Sequence, residues 1–361
     1  MKITQFQEII KAISLSDHLI PILVEGEMGI GKSQAVQQVA KELGFTYVDL
    51  RLAQQDPGDL VGIPRVNSAG DMIWAKPCWI PNSDVKLMLV LEEFNRAPID
   101  VQQAMFQALT ENKIHTHLLP NRSMIVICNN PPDSIYHVAD LDPAILNRCI
   151  MLNLVCDVEE WLTWMHTIKG DGRVIQFIST QTDLLCKPIA GEPSPTPRSW
   201  KYVSDVINIL SSNNSIEVIS GLVGKTATLT FDKWLRNEYN KPVSGKEILE
   251  DYPSIREKLL KQTNDQHWAT TRDLLALLQA AKTLSGKKQI ANMVSYIKDI
   301  TGEWKSRIVN GLPNKISEIL SETEVTKDIV SVLQQTSELK EKDRLQQEEV
   351  EKANTSRKEG T

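Results

Sequence analysis

The chain has 361 residues, of which 41% are hydrophobic and 24% are charged, and its formal net charge is −6. This length exceeds one typical core, so we expect two or three domains of ordinary globular composition. The acidic balance provides no general attraction to nucleic acid or to an anionic membrane. No apolar stretch is long enough to span a bilayer and the chain begins with no signal peptide, so we expect a cytoplasmic protein.

A phosphate-binding motif follows the first predicted strand. The apolar run from Leu19 to Val24 predicts a strand, and residues 34–43 predict a helix that ends at Gly44. The residues between them match G-x-x-x-x-G-K-[ST] without a mismatch: Gly26, Glu27, Met28, Gly29, Ile30, Gly31, Lys32 and Ser33. A helix N-terminus behind a Gly-rich loop suits phosphate. We predict that Lys32 reaches the β- and γ-phosphates of a nucleotide and that the Ser33 hydroxyl binds Mg²⁺.

Two adjacent carboxylates follow the next buried strand. Residues 85–91 are nearly all apolar and too few for a core helix, so they predict a buried strand, and Glu92 and Glu93 come at its end. Ligands of open α/β sheets bind at that edge, beside the phosphate loop. We expect Glu92 to hold Mg²⁺ through water and Glu93 to orient and polarise the attacking water.

Amide and arginine side chains appear further along the chain. Asn129 and Asn130 end a third apolar strand, where an amide could hydrogen-bond both the attacking water and the γ-phosphate. Arg148 ends a short predicted helix, and Arg198 lies at the predicted start of another helix, after Pro197. These residues complete the set of candidate catalytic groups.

The fold class predicted from these patterns is α/β. Residues 1–156 contain five apolar strands separated by helices, which predicts a parallel α/β core. Residues 157–250 and 251–335 have helical patterns, and residues 336–361 are charged and poor in aromatics, which predicts a solvated helix or a disordered tail.

Taken in this order, the motifs resemble those of AAA+ ATPases, and within that superfamily those of the MoxR-like branch. The resemblance spans residues 5–235 and is carried by Walker A (26–33), Walker B running into N-R-A-P (89–98), sensor 1 (129–131), the arginine finger (146–148), sensor 2 (197–198) and a D-P-x-D-L-x-G-like segment (56–62). It implies a P-loop core, an α-helical lid at residues 157–250 that carries Arg198, and ATP and Mg²⁺ as cofactors.

The sequence departs from the branch pattern at two positions. Glu92 stands where the branch usually has Asp, which puts the affinity for the metal in doubt but not the role. Cys149 follows Arg148 where Phe is usual. Sensor 1 is ambiguous between Asn129 and Asn130, and the position directly before Pro131 favours Asn130.

The resemblance also implies assembly and function. In this superfamily the finger arginine, here Arg148, reaches the nucleotide of the neighbouring subunit, which makes hydrolysis depend on a ring, expected to be a homo-hexamer. The alternative is a surface or intra-domain arginine. Relatives commonly remodel or activate a client protein, or load its metal cofactor, together with a von Willebrand factor A-type protein. A nucleic-acid-directed AAA+ ATPase and a nucleotide-gated scaffold are the alternatives, although no helix-turn-helix or zinc motif supports the first and Glu93 argues against the second.

Residues 63–81 interrupt the core with a turn signal and two tryptophans, Trp74 and Trp79. In MoxR-like proteins a hairpin near this place faces the pore of the ring or a partner. A surface hairpin whose tryptophans pack on their own domain is an equal alternative.

Overall fold

The computed structural model describes residues 1–82, 84–131, 141–189, 191–209, 212–236, 241–300 and 302–323. The predicted tail at residues 336–361 lies outside the described residues, as do Pro132 and the last part of the segment predicted at 251–335. The chain forms two compact units. The first comprises Met1–Asp157 with Asp183–Thr228, and the second comprises Val158–Thr182 with Leu229–Thr361.

The first unit contains a five-stranded sheet and its flanking helices. In chain order its elements up to residue 157 are α1 (Ile3–Ser14), β1 (Ile22–Glu25), α2 (Lys32–Leu43), β2 (Thr46–Arg51), α3 (Pro57–Val61), β3 (Ile63–Val66), β4 (Met72–Ala75), β5 (Lys86–Glu92), α4 (Ile99–Glu111), β6 (Lys113–Ile114), β7 (His117–Leu118), β8 (Arg122–Asn129), α5 (Pro143–Leu146) and β9 (Ile150–Asn153). The strand order is β2-β5-β8-β1-β9, and every pairing is parallel. The predicted parallel α/β core is confirmed.

The central strands are apolar on both faces because each face is covered. In β5, Leu87, Leu89 and Leu91 pack into one core cluster, while Met88 and Val90 pack into the cluster on the other side of the sheet. Alternate residues of a strand point to opposite faces, so a strand buried on both sides needs an uninterrupted apolar run. This is why the run at residues 85–91 lacks the alternation of a half-exposed strand.

The strand register places the C-terminal ends of β1, β5 and β8, which carry the candidate site residues, side by side. Glu25 at the end of β1 pairs with Asn129 at the end of β8, and Glu92 at the end of β5 pairs with Cys128. All parallel strands end at the same edge of the sheet. The phosphate loop, the two glutamates and the two asparagines therefore meet there, as the sequence predicts.

After β9 the helices divide between the two units. They are α6 (Val158–Thr167), α7 (Gly172–Thr180), α8 (Pro197–Val206), α9 (Ser212–Arg236, kinked at Gly224), α10 (Gly245–Leu260), α11 (Asn264–Ala281), α12 (Lys287–Asp299), α13 (Gly302–Gly311) and α14 (Asn314–Ser321). Helix α8 groups with the sheet, whereas α6 and α7 group with the later helices. The compact units thus cut across the segment predicted at 157–250, whose role as a lid stays a prediction.

A buried carboxylate joins three helices of the second unit. Asp273 on α11 accepts a hydrogen bond from the Gly245 N–H at the start of α10 (2.7 Å) and lies 2.8 Å from His166 Nε2 on α6. The side chain of Asp273 is only 4% exposed. Buried carboxylates are stable only with such partners, so Asp273 sets the packing of these helices.

The insertion at residues 63–81 contains an antiparallel hairpin. Strands β3 and β4 pair from Ile63 to Ala75, and large apolar side chains on them, such as Val66 and Met72, are exposed. Trp79 packs against the core of its own unit, and the Trp74 ring lies 4.3 Å from that of His115, between β6 and β7. Both tryptophans therefore contact their own unit, whereas the apolar surface of the two strands is exposed.

None of the described helices is both long and apolar enough to cross a membrane.

Candidate active site

The phosphate loop takes its shape from two glycines and from the start of α2. Gly29 and Gly31 have φ angles of 76° and 106°, in the left-handed region that glycine adopts without strain. No described side chain caps the first turn of α2, which begins at Lys32. The first N–H groups of a helix have no intrahelical acceptor, so they are available to an anion such as phosphate.

The Lys32 ammonium is buried among acceptors of the loop and of the next strand. Its Nζ donates to the carbonyl oxygens of Gly26 (2.6 Å) and Glu27 (3.0 Å) and to Oδ1 of Asn130 (3.2 Å). Burial lowers the pKa of Lys32, and the nearby acidic groups, Glu92 among them, oppose that shift. The positive charge of Lys32 therefore lies at the sheet edge where the motif predicts that phosphate binds.

Glu92 and Ser33, the two predicted magnesium ligands, are in contact. The nearby Ser33 hydroxyl opposes the effect of burial, which raises the pKa of Glu92. Its Oε1 is buried without a hydrogen-bond partner among the described residues. A buried carboxylate oxygen that needs a partner, beside a hydroxyl, is a donor set that suits Mg²⁺ and its water ligands. The longer Glu in place of Asp therefore still lies near Ser33.

Glu93, the predicted catalytic base, leaves the line of the strand. Its φ of 55° is left-handed, and its side chain is 43% exposed, with Oε2 3.3 Å from the Arg96 guanidinium. A left-handed conformation costs a residue with a side chain about 1 kcal/mol. Such strain persists only where neighbouring groups hold the backbone, and it is frequent at functional sites.

The two asparagines have different surroundings. Asn129 is fully buried, and its Oδ1 accepts a hydrogen bond from the Asn95 N–H (3.3 Å). Asn130 lies one residue beyond β8 and contacts Lys32. Of the two, Asn130 is the one whose side chain faces the phosphate loop, which supports its choice as sensor 1.

Arg198 lies beside the phosphate loop. Its backbone N–H donates to the Gly29 carbonyl (3.2 Å), and Thr196, the N-cap of α8, lies so close that a Cβ on Gly29 would come within 2.9 Å of its Oγ1. The Arg198 side chain is exposed, and its charge contributes to the lowered pKa of Lys32. The predicted sensor 2 residue is therefore next to the loop that its role requires.

Arg148 is held away from these groups. Its Nη1 donates to the Ala144 carbonyl (2.6 Å), and its guanidinium lies over the Phe106 ring, 4.5 Å from the ring centre. The side chain is exposed. Within the described part of the chain, no hydrogen bond joins it to the phosphate loop, whereas Asn130 and Arg198 each bond to residues 26–33.

The sequence did not predict that Asn95, which is part of the N-R-A-P motif, lies at the site. Asn95 is 3% exposed and donates hydrogen bonds to Asn129, the last residue of β8, and to Asn130, which follows it. The sequence shows a polar residue directly after Phe94, at the point where the chain leaves the buried strand β5. This position alone does not identify the hydrogen-bond partners of Asn95.

A family model matches the part of the chain that carries most of the candidate site. Residues 21–149 match the family model of the AAA domain, dynein-related subfamily. A Cytophaga hutchinsonii protein described as an ATPase is 15% identical, over 92% of this chain and 88% of that protein, with a TM-score of 0.37. The Thermotoga maritima RuvB Holliday junction branch migration motor is 12% identical, over 79% of this chain and 89% of that one, with a TM-score of 0.40. Structural similarities of this size support no conclusion about activity.

The matched segment carries the phosphate loop, Glu92, Glu93 and both asparagines. These are the groups that bind and cleave a nucleoside triphosphate in P-loop enzymes. The match to the AAA domain over residues 21–149, together with these groups, identifies the chain as an ATPase.

Proposed function

We propose that this protein is a MoxR-like AAA+ ATPase that hydrolyses ATP in a hexameric ring and uses the energy to remodel or activate a client protein, or to assist in loading its metal cofactor. One observation carries the ring: Lys32, Asn130 and Arg198 meet at one sheet edge, whereas Arg148 is exposed and fixed elsewhere. We infer that Arg148 completes the site of a neighbouring subunit. The MoxR-like character and a von Willebrand factor A-type partner rest on the sequence motifs.

The proposed chemistry assigns one task to each group. Lys32 and the first N–H groups of α2 bind the phosphates, and Ser33 with Glu92 would hold Mg²⁺, which supplies positive charge to the phosphate oxygens. Glu93 orients the attacking water and accepts its proton. Asn130 donates a hydrogen bond to the γ-phosphate, and Arg198 adds a second positive charge.

Arg148 acts on the site of the neighbouring subunit. The Ala144 carbonyl and the Phe106 ring restrict its guanidinium, which reduces the entropy lost when it meets phosphate. An arginine supplied in this way stabilises the negative charge of the transition state. Hydrolysis then depends on assembly.

Light scattering tests the assembly. ATP bound between Lys32 of one subunit and Arg148 of the next favours the ring, so a slowly hydrolysed ATP analogue with Mg²⁺ should raise the measured mass. The Arg148→Ala variant should bind the analogue and show a weaker increase. A monomeric parent protein at high concentration, with and without the analogue, would contradict the ring.

The distribution of charge disfavours the nucleic-acid alternative. The formal net charge is −6, and the described surface hairpin of β3 and β4 is mostly apolar. Nucleic-acid binding depends on basic surfaces that neutralise phosphates. We therefore assign the work of the ATPase to a protein client.

A further inference from the structure

Asn95 lies between the turn that follows Glu93 and the asparagines at the end of β8. It belongs to the turn after Glu93, and its buried side chain donates from Nδ2 to the Asn130 carbonyl (3.0 Å). Its backbone N–H donates to Oδ1 of Asn129 (3.3 Å). These two hydrogen bonds add to the one that the Glu93 N–H donates to the Cys128 carbonyl (3.0 Å), and together they join the turn of Glu93 to the end of β8.

These bonds fix the orientation of both amide groups. Reversing the Asn95 amide would place its oxygen against the Asn130 carbonyl, and reversing the Asn129 amide would place its NH₂ against the Asn95 N–H. In the assigned orientation Asn95 Oδ1 and Asn129 Nδ2 are buried and have no partner among the described residues. A buried acceptor and a buried donor without partners, on two residues that are hydrogen-bonded to each other, are rare in a core, and a functional role is one explanation for them.

The turn needs external support. It is one short 3₁₀ turn, Phe94–Arg96, that begins at the left-handed Glu93, and the Arg96 N–H donates to the Glu93 carbonyl (2.9 Å). The ion pair between Arg96 and Glu93 is half exposed to solvent and contributes little rigidity. Beyond the backbone bond from the Glu93 N–H to the Cys128 carbonyl, the buried Asn95 amide holds the middle of this turn against the residue that follows β8.

We propose that Asn95 is a positioning residue for ATP hydrolysis: it holds the turn of Glu93 in register with Asn130 and, through Asn130, with Lys32. This inference rests on the proposed role of Glu93 as the base. The connected path runs from Glu93 through Asn95 and Asn130 to the Lys32 ammonium. Loss of the Asn95 amide displaces the base relative to the phosphate and leaves the phosphate loop unchanged.

The test uses Asn95→Asp, which keeps the shape and removes the Nδ2 donor. We expect kcat for ATP to fall by about tenfold or more, because small displacements of a catalytic group are costly. The KM and the affinity for a slowly hydrolysed analogue should stay close to the parental values. As the pH is lowered, the new carboxyl becomes protonated and donates to the Asn130 carbonyl again, so the activity relative to the parent protein should rise.

Asn292→Asp is the matched control. Asn292 is also buried and donates from Nδ2 to a carbonyl, that of Leu249 (2.9 Å), in the second compact unit. The Asn292→Asp substitution should lower the thermal unfolding temperature about as much as Asn95→Asp does, and the variant should keep the parental kcat. If Asn95→Asp does not yield folded protein, Asn95→Ala removes the amide without adding a charge and should show the same separation of kcat from KM.

Two results would overturn the inference. One is a parental kcat in the Asn95 variants. The other is a loss of kcat in Asn292→Asp equal to that in Asn95→Asp at similar stability. Glu93→Gln, measured alongside, separates this inference from the proposed function: parental turnover in Glu93→Gln refutes the base assignment itself, whereas an inactive Glu93→Gln with a fully active Asn95→Asp refutes only the role of Asn95.

Discussion

The Lys32 ammonium lies 3.2 Å from the side-chain oxygen of Asn130, a residue 98 positions further along the chain. The contact exists because β1 and β8 are neighbours in the sheet and end at the same edge. A phosphate held by Lys32 would therefore lie beside the Asn130 amide. This contact links the predicted phosphate-binding group to the residue that we propose as the γ-phosphate sensor.

Binding and hydrolysis should separate in two variants. Lys32→Ala should abolish nucleotide binding, because it removes the buried positive charge of the loop. Glu93→Gln should bind normally and lose about a hundredfold or more in kcat, since a base acts in the chemical step. Titration with a fluorescent ATP analogue and phosphate release measure the two effects. Lys41→Ala, at an exposed position of the same helix, is the control and should match the parent.

Gly29 should be more sensitive than an equally left-handed glycine at the end of α2. Gly29→Ala places a Cβ within 2.9 Å of Thr196 Oγ1, whereas a Cβ at Gly44 meets no described atom within 4 Å. Both positions have positive φ, so each substitution costs about 1 kcal/mol of backbone strain. Only Gly29→Ala should also weaken nucleotide binding. Chemical denaturation and nucleotide titration of both variants check this, and equal nucleotide affinities would contradict it.

Arg148 should act in trans. Arg148→Ala keeps its own Lys32 and Glu93, and Glu93→Gln keeps its Arg148, so each variant alone should be nearly inactive. Mixed in one ring, some interfaces pair an intact Glu93 with an intact Arg148, and ATP turnover should partly return. The measurement is turnover across mixing ratios at fixed total protein. Flat activity, with mixed rings confirmed by co-purification of differently tagged chains, argues for action within one chain.

Asp299 should make the stability of the second unit depend on pH. Hydrogen bonds from Arg256 (2.6 and 2.9 Å) and from Tyr252 (2.7 Å) lower the pKa of Asp299 to about 2, from its ordinary value of 3.8. A carboxyl with a lowered pKa stabilises the fold above its unfolded pKa, and the contribution is lost as the pH falls through about 2. Asp299→Asn should thus unfold at lower urea concentration near neutral pH, with a difference that shrinks in acid.

The stabilisation by the Asp299–Arg256 pair should be modest, because solvent screens an ion pair that is partly exposed. Asp232→Asn is the control, because Asp232 pairs with Arg236 within a single helix (3.0 Å) and ties no second helix. It should change the urea midpoint less than Asp299→Asn does. A difference for Asp299→Asn that stays constant or grows toward acid pH would contradict the role of the pair.

Most secondary elements of the core follow from local patterns. The apolar run at residues 85–91 predicted β5, and the structure places that strand at Lys86–Glu92. The helix predicted to end at Gly44 does so, since Gly44 adopts a φ of 71° as its C-cap. Periodicity and capping act between residues close in sequence, which is why the sequence alone predicts them.

The sequence by itself determined the phosphate loop, the apolar strands and the order of the candidate catalytic residues, because each depends on neighbours within a few positions. Only the tertiary structure decided that Asn130 and not Asn129 contacts Lys32, that Asn95 ties the turn of Glu93 to β8, and that α8 groups with the sheet while α6 and α7 do not. These outcomes depend on strand order and on hydrogen bonds between residues tens of positions apart. Such contacts are stabilised when segments that are distant in sequence bury each other. A local sequence pattern does not show which distant segment will be the partner.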